Sequence, residues 1–243
     1  MSAGIERNRK RSRYKDRNFK QQEIGFNTRV SALDFFRRPS EWDHENVFCF
    51  ILAGGKSRRL GEDKVNTMIG DESLLELMIR KTSEIFENVA IITRRDSKLP
   101  KIDNPVLYDL MPGSGSLGGI YTGLVKSPTY FNFFLSCDMP FIEKKFIEKM
   151  ISENRNFDIL IPRDGRNFQP LHAIYSKACL PQIRELLAAG NLKIIDLFSK
   201  VNVRYIEKSE WEKYDKKKRM FLNINTMEDL EFARNKILGP KKK

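Results

Sequence analysis

Cysteine and histidine are scarce in this 243-residue chain, which contains three cysteines and two histidines. Cys49, Cys137 and Cys179 lie far apart and form no CxxC pair, which argues against a disulfide framework and against a zinc site. The chain also has no run of about eighteen apolar residues and no apolar segment of the kind found in secretory signals. These absences predict a reduced, cytoplasmic protein that neither spans a membrane nor is exported.

The net charge of +12 is concentrated at the two ends of the chain. Residues 1–20 contribute +6 and Lys241–Lys243 contribute +3, which leaves +3 for residues 21–240. A central body this close to neutral has no dominant field that would attract a polyanion. The basic ends are interpreted as solvated tails, so nucleic acid is not expected as a partner. A nucleic-acid-binding protein that uses these ends stays the alternative of a different class.

The sequence pattern changes near residue 46. Residues 1–45 mix charged and amide side chains with scattered aromatic ones, and we predict a basic, disordered N-terminal extension. In residues 46–240, short apolar runs alternate with helix-like segments, which is typical of βαβ units. We therefore predict one α/β domain with a mostly parallel central sheet and helices on both faces.

The predicted elements alternate along this domain. Strands are predicted at residues 47–52, 89–93, 106–108, 130–136, 158–162 and 169–176. Helices are predicted near residues 73–86, 117–126, 143–154, 177–189, 193–201 and 226–238. Ligands of open α/β sheets bind beyond the carboxyl ends of the strands, so the segments 53–64, 109–119 and 137–140 should meet in one crevice.

Directly after the first predicted strand comes LAGGKSRRLGEDK, residues 52–64. Its adjacent glycines, Gly54 and Gly55, let the backbone turn sharply and expose N–H groups to phosphate oxygens. Arg59 and Lys64 supply cations that suit a triphosphate, and they are the predicted catalytic residues. The spacing fits neither a Walker A loop nor a GxGxxG fingerprint. We predict a phosphate-binding turn of another type.

Two aspartates stand directly after predicted strands. Asp109 follows Val-Leu-Tyr, and Asp138 lies in SCDMPF after the most apolar strand. Mg²⁺ prefers oxygen ligands and is commonly held by one or two carboxylates together with substrate phosphates. Asp138 is therefore the predicted metal ligand. A strand-end aspartate also serves as a turn or capping residue, and for Asp109 both interpretations stay open.

Residues 112–119, PGSGSLGG, form a glycine-dense turn between these aspartates. Glycines here let a flat base approach the backbone, although tight packing of a helix on the sheet would need them as well. We favour a wall on the base side of the crevice. His172 lies in an apolar strand, where a structural role with satisfied hydrogen bonds is more common than catalysis.

Several motifs together resemble the bacterial molybdenum cofactor guanylyltransferases over residues 47–238. They are LAGGKSRRLGEDK, the strand-end Asp109, GSGSLGGIYTGL, SCDMPF, QPLHAIYS and NINTMEDL. LAGG alone is shared with sugar-phosphate nucleotidyltransferases, whereas LAGGxSxRxGxDK followed by CDMPF is specific. The chain departs from the family at residues 92–95, Ile-Thr-Arg-Arg, where some members have an asparagine. Its glycine turn also lacks the Gly-Pro-Leu-Ala-Gly sequence that is usual in the family.

The resemblance implies a Rossmann-like nucleotidyltransferase fold and transfer of GMP from GTP to molybdenum-molybdopterin, with release of pyrophosphate. It implies Mg²⁺ as the cofactor and leaves molybdenum cofactor delivery proteins open as partners. The implied nucleotide contacts are Leu52, Ala53, Gly54, Gly55, Lys64, Asp109 and Asp138, of which Asp138 also binds the metal. Residues 169–171, Asn223 and Asn225 would face the molybdopterin. Another Mg²⁺-dependent nucleotidyltransferase, using CTP or acting on a sugar or alcohol phosphate, stays the alternative.

Overall fold

The structure, a computed structural model, describes residues 43–54 and 64–239. Most of the predicted N-terminal extension, residues 55–63 of the predicted phosphate-binding turn and the basic end at residues 240–243 lie outside this described part. Among the described residues, no helix combines the length and the apolar character that a membrane span requires.

The described residues form ten strands and six α-helices. The strands are β1 Asp43–Leu52, β2 Met68–Ile69, β3 Glu72–Ser73, β4 Val89–Thr93, β5 Val106–Tyr108, β6 Thr129–Ser136, β7 Ile159–Asp164, β8 Asn167–Phe168, β9 His172–Ser176 and β10 Val203–Ile206. The α-helices are α1 Leu74–Ser83, α2 Gly115–Lys126, α3 Lys144–Ile151, α4 Leu180–Ala188, α5 Lys208–Trp211 and α6 Met227–Leu238. Short 3₁₀ helices occur at Lys64–Asn66, Lys177–Cys179 and Ile194–Leu197.

The main sheet has the strand order β10-β7-β9-β6-β1-β4-β5, and β8 pairs with β7. Strand β1 is parallel to both β4 and β6, β4 is parallel to β5, and β7 is parallel to β10. Strand β9 runs antiparallel to β6 and β7. The predicted α/β fold with a mostly parallel central sheet is therefore confirmed. Strands β2 and β3 form a separate small sheet.

Residues 48–52 of strand β1 are buried on both faces because helices cover both sides of the sheet. Cys49 and Ile51 belong to a core with side chains of α1, α3 and α6. Phe50 and Leu52 belong to a second core with side chains of α2 and α4. Successive strand residues point to opposite faces of the sheet. A strand that lies between two hydrophobic cores therefore has a continuous run of apolar residues in its sequence. The apolar sequence Cys-Phe-Ile-Leu, residues 49–52, was therefore a sufficient signal for this part of the strand.

The glycines of α2 set how closely this helix approaches the sheet. A Cβ atom on Gly123 would lie 2.5 Å from Cε1 of Phe134, and one on Gly119 would lie 2.8 Å from Cδ2 of Leu52. Neither distance leaves room for a side chain, so these two glycines serve helix packing. Gly113 and Gly115 have positive φ values of 87° and 58°, and no described atom lies within 4 Å of a Cβ added to either. This early part of the turn is therefore not constrained by helix packing.

Several predicted element boundaries differ from the structure; the strand predicted at residues 169–176, for example, begins only at His172. The helix predicted at residues 193–201 is only the short 3₁₀ helix Ile194–Leu197. The side chain of Asn191 accepts a hydrogen bond from the N–H of Lys193 and donates one to Oδ2 of Asp196, and such local bonds compete with a longer helix. Strand β1 begins at Asp43 instead of residue 47, because Asp43 pairs with Thr129 of β6.

His172 is a fully buried core residue of β9. Its ring stacks on Phe146 with 5.8 Å between centroids and meets the rings of Phe133 and Phe221 edge-on at 5.3 and 5.2 Å. Neither ring nitrogen has a hydrogen-bond partner in the described part of the chain. The role is structural, as predicted, but aromatic contacts replace the expected hydrogen bonds. Burial lowers the pKa of this histidine from 6.5 to about 3.

We expect His172→Phe to remove a pH dependence of stability. The fold holds the neutral ring, whereas the unfolded chain takes up the proton near pH 6.5, so the free energy of unfolding falls as the pH drops from about 6.5 toward 3. Between pH 7 and pH 5 this loss amounts to about 2 kcal/mol. Urea titrations of both proteins at pH 7 and pH 5 measure it, and an equal loss in the two proteins would contradict the expectation.

Candidate functional site

A cavity of about 660 Å³ opens at the carboxyl ends of β1, β4, β5 and β6. The chain runs from β1 to β4 and β5 on one side and returns to β6 on the other, so β1 marks a topological switch point. The loops after these strands line the cavity with Gly54, Arg94, Asp109, Gly113, Gly115, Ser116 and Asp138. The predicted convergence of three segments on one crevice is confirmed for their described residues, whereas residues 55–63 of the first segment lie outside the described part.

The segment after β1 is fixed by hydrogen bonds to its two neighbouring strands. The N–H of Ala53 donates to the carbonyl of Ile92 at 2.8 Å, and Oγ1 of Thr93 donates to the carbonyl of Ala53 at 3.0 Å. On the other side, the N–H of Cys137 donates to the carbonyl of Leu52 at 3.1 Å. Gly54 follows at the cavity, and no described residue lies within 4 Å of a Cβ added to it. The backbone that enters the cavity here is thus held in place by the two neighbouring strands.

Lys64 and Asp138 form an ion pair at this site. Nζ of Lys64 donates to Oδ2 of Asp138 at 2.9 Å and to Oδ1 of Asn225 at 2.8 Å. The other carboxylate oxygen, Oδ1, accepts a hydrogen bond from Oγ of Ser136 at 2.6 Å. The two charged side chains are only 19% and 18% exposed, so solvent screens their interaction less than that of a surface pair. Both carboxylate oxygens are thereby oriented.

Asn225 is held by the N-terminal cap of α6. The N–H groups of Asn225 and Thr226 donate to Oδ2 of Asp229 at 2.9 and 2.8 Å, and the N–H of Asp229 donates to Oγ1 of Thr226 at 3.1 Å. The hydrogen bond from Asn225 is the main reason that the pKa of Asp229 is lowered. This capping box fixes the amide that contacts Lys64.

The two oxygens of the Asp109 carboxylate differ in their contacts. Its Oδ1 atom accepts hydrogen bonds from the N–H of Met111 at 2.9 Å and from Oγ1 of Thr122 at 3.1 Å. Within the described residues, Oδ2 makes no hydrogen bond, and Asp109 lines the cavity. One oxygen therefore builds the turn and the other stays available to a ligand. Gly118 lies close to this carboxylate, since a Cβ atom added to it would be 3.3 Å from Oδ1 of Asp109.

The profile of the MobA-like NTP transferase domain matches residues 49–203 of this chain. The chain belongs to the MobA-like NTP transferase family. The probable molybdenum cofactor guanylyltransferase of Natranaerobius thermophilus is 37% identical over 201 residues, which cover 80% of this chain and 98% of the relative. The corresponding protein of Pelotomaculum thermopropionicum is 34% identical over 184 residues, with coverage of 76% and 90%. The resemblance to these guanylyltransferases is therefore confirmed.

A solved structure agrees with this family assignment. The crystal structure of molybdopterin-guanine dinucleotide biosynthesis protein A from Archaeoglobus fulgidus superposes with a TM-score of 0.71 and 27% sequence identity. The match covers 80% of this chain and the whole of the other chain. The chain is thus a nucleotidyltransferase of Rossmann-like fold, and the cavity stands where the members of such folds bind their ligands.

The predicted site residues divide into three groups in this MobA-like chain. Leu52, Gly54, Asp109 and Asp138 line the cavity. Ala53 is buried beside it, and Lys64 is joined to the site through Asp138. The predictions for Gly55 and Arg59 lie outside the described residues. The structure shows two further features of the site, the side chain of Ser136 and the contact between Lys64 and Asn225. For the second, the only sequence signal was the segment NINT, which precedes the capping box of α6.

The carboxylate of Asp138 fits one kind of metal site. The described residues contain no group of three or more histidine, cysteine, aspartate or glutamate side chains that could enclose a metal ion. An all-protein metal centre is therefore absent from the described part. A single oriented carboxylate beside an open cavity matches the magnesium sites in which a substrate triphosphate and water supply the other ligands.

Proposed function

We propose that this MobA-like nucleotidyltransferase transfers GMP from GTP to molybdenum-molybdopterin and releases pyrophosphate. The observation that carries the proposal is the Lys64–Asp138 ion pair at the cavity that Gly54 also lines, since it combines a cation with a carboxylate that would suit a metal ion. The guanylyltransferase names of relatives that are 37% and 34% identical support the choice of nucleotide and acceptor.

The reaction requires positioning and charge neutralisation more than a general base. The terminal phosphate of the acceptor is already a nucleophile, so its oxygen attacks the α-phosphorus of GTP in line with the leaving group. A new P–O–P bond forms, the bond between the α-phosphorus and the bridging oxygen breaks, and pyrophosphate leaves with the electron pair. No histidine is needed, which agrees with the burial of His172 among aromatic rings.

Asp138 would hold Mg²⁺, which neutralises charge on the triphosphate when bound. Ser136 keeps the carboxylate oriented through Oδ1, and Lys64 adds a positive charge at Oδ2. The backbone at Leu52 and Gly54 and the carboxylate of Asp109 supply the proposed nucleotide contacts. The predicted role of Arg59 belongs to the same proposal.

The proposed setting is the cytoplasm. Molybdenum cofactor delivery proteins are the proposed partners on the acceptor side, because the acceptor is itself a cofactor intermediate. Residues 46–240 are proposed to form the catalytic domain, in line with the family match over residues 49–203.

The decisive experiment supplies the purified protein with Mg²⁺, molybdenum-loaded molybdopterin and GTP, CTP or ATP in turn. We expect pyrophosphate and a guanine dinucleotide, identified by mass spectrometry, with GTP as the preferred substrate. Omission of the acceptor is the control, and EDTA should stop the reaction. Equal or faster turnover with CTP would overturn the guanine assignment. Efficient turnover with a sugar phosphate in place of molybdopterin would overturn the acceptor.

A further inference from the structure

A second cavity lies at the opposite end of the sheet from the candidate site. It has a volume of about 240 Å³ and lies beside the first residues of β4 and β5, where Val89 and Pro105 are among its lining residues. Its apolar lining comes from the second core, in which the rings of Phe48 and Phe50 stack with 4.7 Å between their centroids. Cavities that hold drug-sized ligands are larger, about 300–1,000 Å³. This cavity therefore suits a few apolar side chains and not a second nucleotide.

The charged residues that line this second cavity carry a net charge of −1. Glu87 and Asp103 contribute two exposed side chains, and Lys126 contributes a half-buried one. In the described part of the chain, neither carboxylate forms an ion pair. An occupant that brings cations together with apolar side chains is therefore complementary to this surface.

The chain enters β1 beside the same cavity. Asp43, the first residue of β1, is in register with Thr129, and the residue before Thr129, Pro128, lines the cavity. Neighbouring strands lie about 4.8 Å apart and consecutive Cα atoms about 3.8 Å apart, so the Cα atoms of Asp43 and Pro128 lie within about 9 Å of each other. The five steps from residue 38 to residue 43 span at most about 18 Å. Residues that shortly precede β1 can therefore reach the cavity.

Residues 29–38, RVSALDFFRR, have a composition that fits this cavity. Five of these ten residues are apolar, and Val30, Leu33 and Phe36 recur at helical spacing. Three arginines and one aspartate give the segment a net charge of +2, opposite in sign to that of the cavity lining. Residues 1–20 are apolar at only five of twenty positions, so they offer much less surface to bury. The segment at residues 29–38 thus differs from the charged residues that precede it.

We propose that residues 29–38 dock on the second cavity of their own chain, with Leu33 and Phe36 against its apolar lining and an arginine of the segment beside Glu87. The short connection to β1 keeps the local concentration of the segment at the cavity high, so a modest contact area suffices. Docking places the basic residues 1–28 at the end of the sheet that lies away from the candidate site. This inference goes beyond the proposed function and does not depend on it.

The first test joins the segment to the cavity by a disulfide in the full-length protein. Ser31→Cys and Asn88→Cys supply the thiols, because Ser31 belongs to the segment and Asn88 is an exposed residue that lines the cavity. The three native cysteines are buried. The matched control carries the same two substitutions together with Leu33→Ser and Phe36→Ser, so its connection to β1 has the same length. We expect oxidised glutathione to form the disulfide about 10-fold faster when Leu33 and Phe36 are present than in this control.

Two further variants test the place of docking. Ser31→Cys combined with Glu228→Cys reports on an exposed residue at the start of α6, and we expect its disulfide to form more slowly than that of the first pair. Glu87→Lys, added to the first pair, should slow the disulfide about 3-fold at low salt and less at high salt, because a lysine repels the arginines of the segment.

The outcomes decide between docking, a free segment and a second copy. Equal rates with and without Leu33 and Phe36, or equal rates at Asn88 and Glu228, would overturn the docking. An unchanged rate in Glu87→Lys would overturn the contact with an arginine. Chains that carry only Ser31→Cys are also mixed with chains that carry only Asn88→Cys. Linked dimers that form as fast as the disulfide within one chain would show that the segment of a second copy fills the cavity, and would overturn docking within the same chain.

Discussion

Asp138→Asn is expected to lower the rate of GMP transfer about 10³-fold while the protein stays folded. Asparagine has the shape of aspartate and can still accept the hydrogen bond from Ser136, but it lacks the negative charge. That charge is what would hold the metal ion and what now pairs with Lys64 at 2.9 Å. The substitution therefore removes the electrostatic function and leaves the local packing unchanged.

Two measurements check this prediction. Pyrophosphate release reports turnover, and Mn²⁺ binding in the presence of GTP, followed by electron paramagnetic resonance, reports the metal site independently of turnover. Asp103→Asn is the matched control, because Asp103 is an exposed aspartate that precedes β5 at the other end of the sheet. Turnover near the wild-type rate, or unchanged Mn²⁺ binding, in Asp138→Asn would remove Asp138 from the proposed metal site.

The central strands could be predicted from the sequence because they are buried on both faces. Val89–Thr93 is apolar up to its last residue and is buried throughout, so its composition alone identified β4. The direction of β9 could not be predicted in the same way, because a buried strand has the same composition whether it runs parallel or antiparallel. The strand Val203–Ile206 was missed, since its first three residues are only partly buried and the strand depends on pairing with β7.

The residues of the candidate site that follow strands could be predicted from the sequence. The contacts between residues far apart in the sequence could not. Gly54, Asp109 and Asp138 follow strands, and the carboxyl ends of parallel strands lie at one edge of the sheet. The hydrogen bond between Lys64 and Asn225 joins residues 161 positions apart, and no local pattern reports such a pair. The turn contact of Asp109 depends on Thr122 in α2, which the sequence did not connect with it.

Lys64→Met is expected to lower kcat/KM for GTP about 100-fold. Methionine is an unbranched side chain of comparable length without a charge, so the change isolates the loss of the ammonium group that contacts Asp138 and Asn225. Lys64→Arg should recover only part of the activity, because a planar guanidinium replaces a compact ammonium group between these two oxygens. Steady-state kinetics with GTP measures the effect, and Lys101→Met is the control because Lys101 is an exposed lysine.

A double-mutant cycle with Asn225→Ala shows whether the position of the ammonium group matters as well as its charge. The capping box of α6 fixes Asn225, and Asn225 in turn holds Nζ of Lys64 at 2.8 Å. Asn225→Ala alone should therefore lower kcat/KM, and it should have little further effect in the Lys64→Met background, because the side chain that it positions is gone. Additive effects would show that Asn225 acts on the reaction independently of Lys64. Full activity of Lys64→Met would instead show that the ion pair with Asp138 is structural.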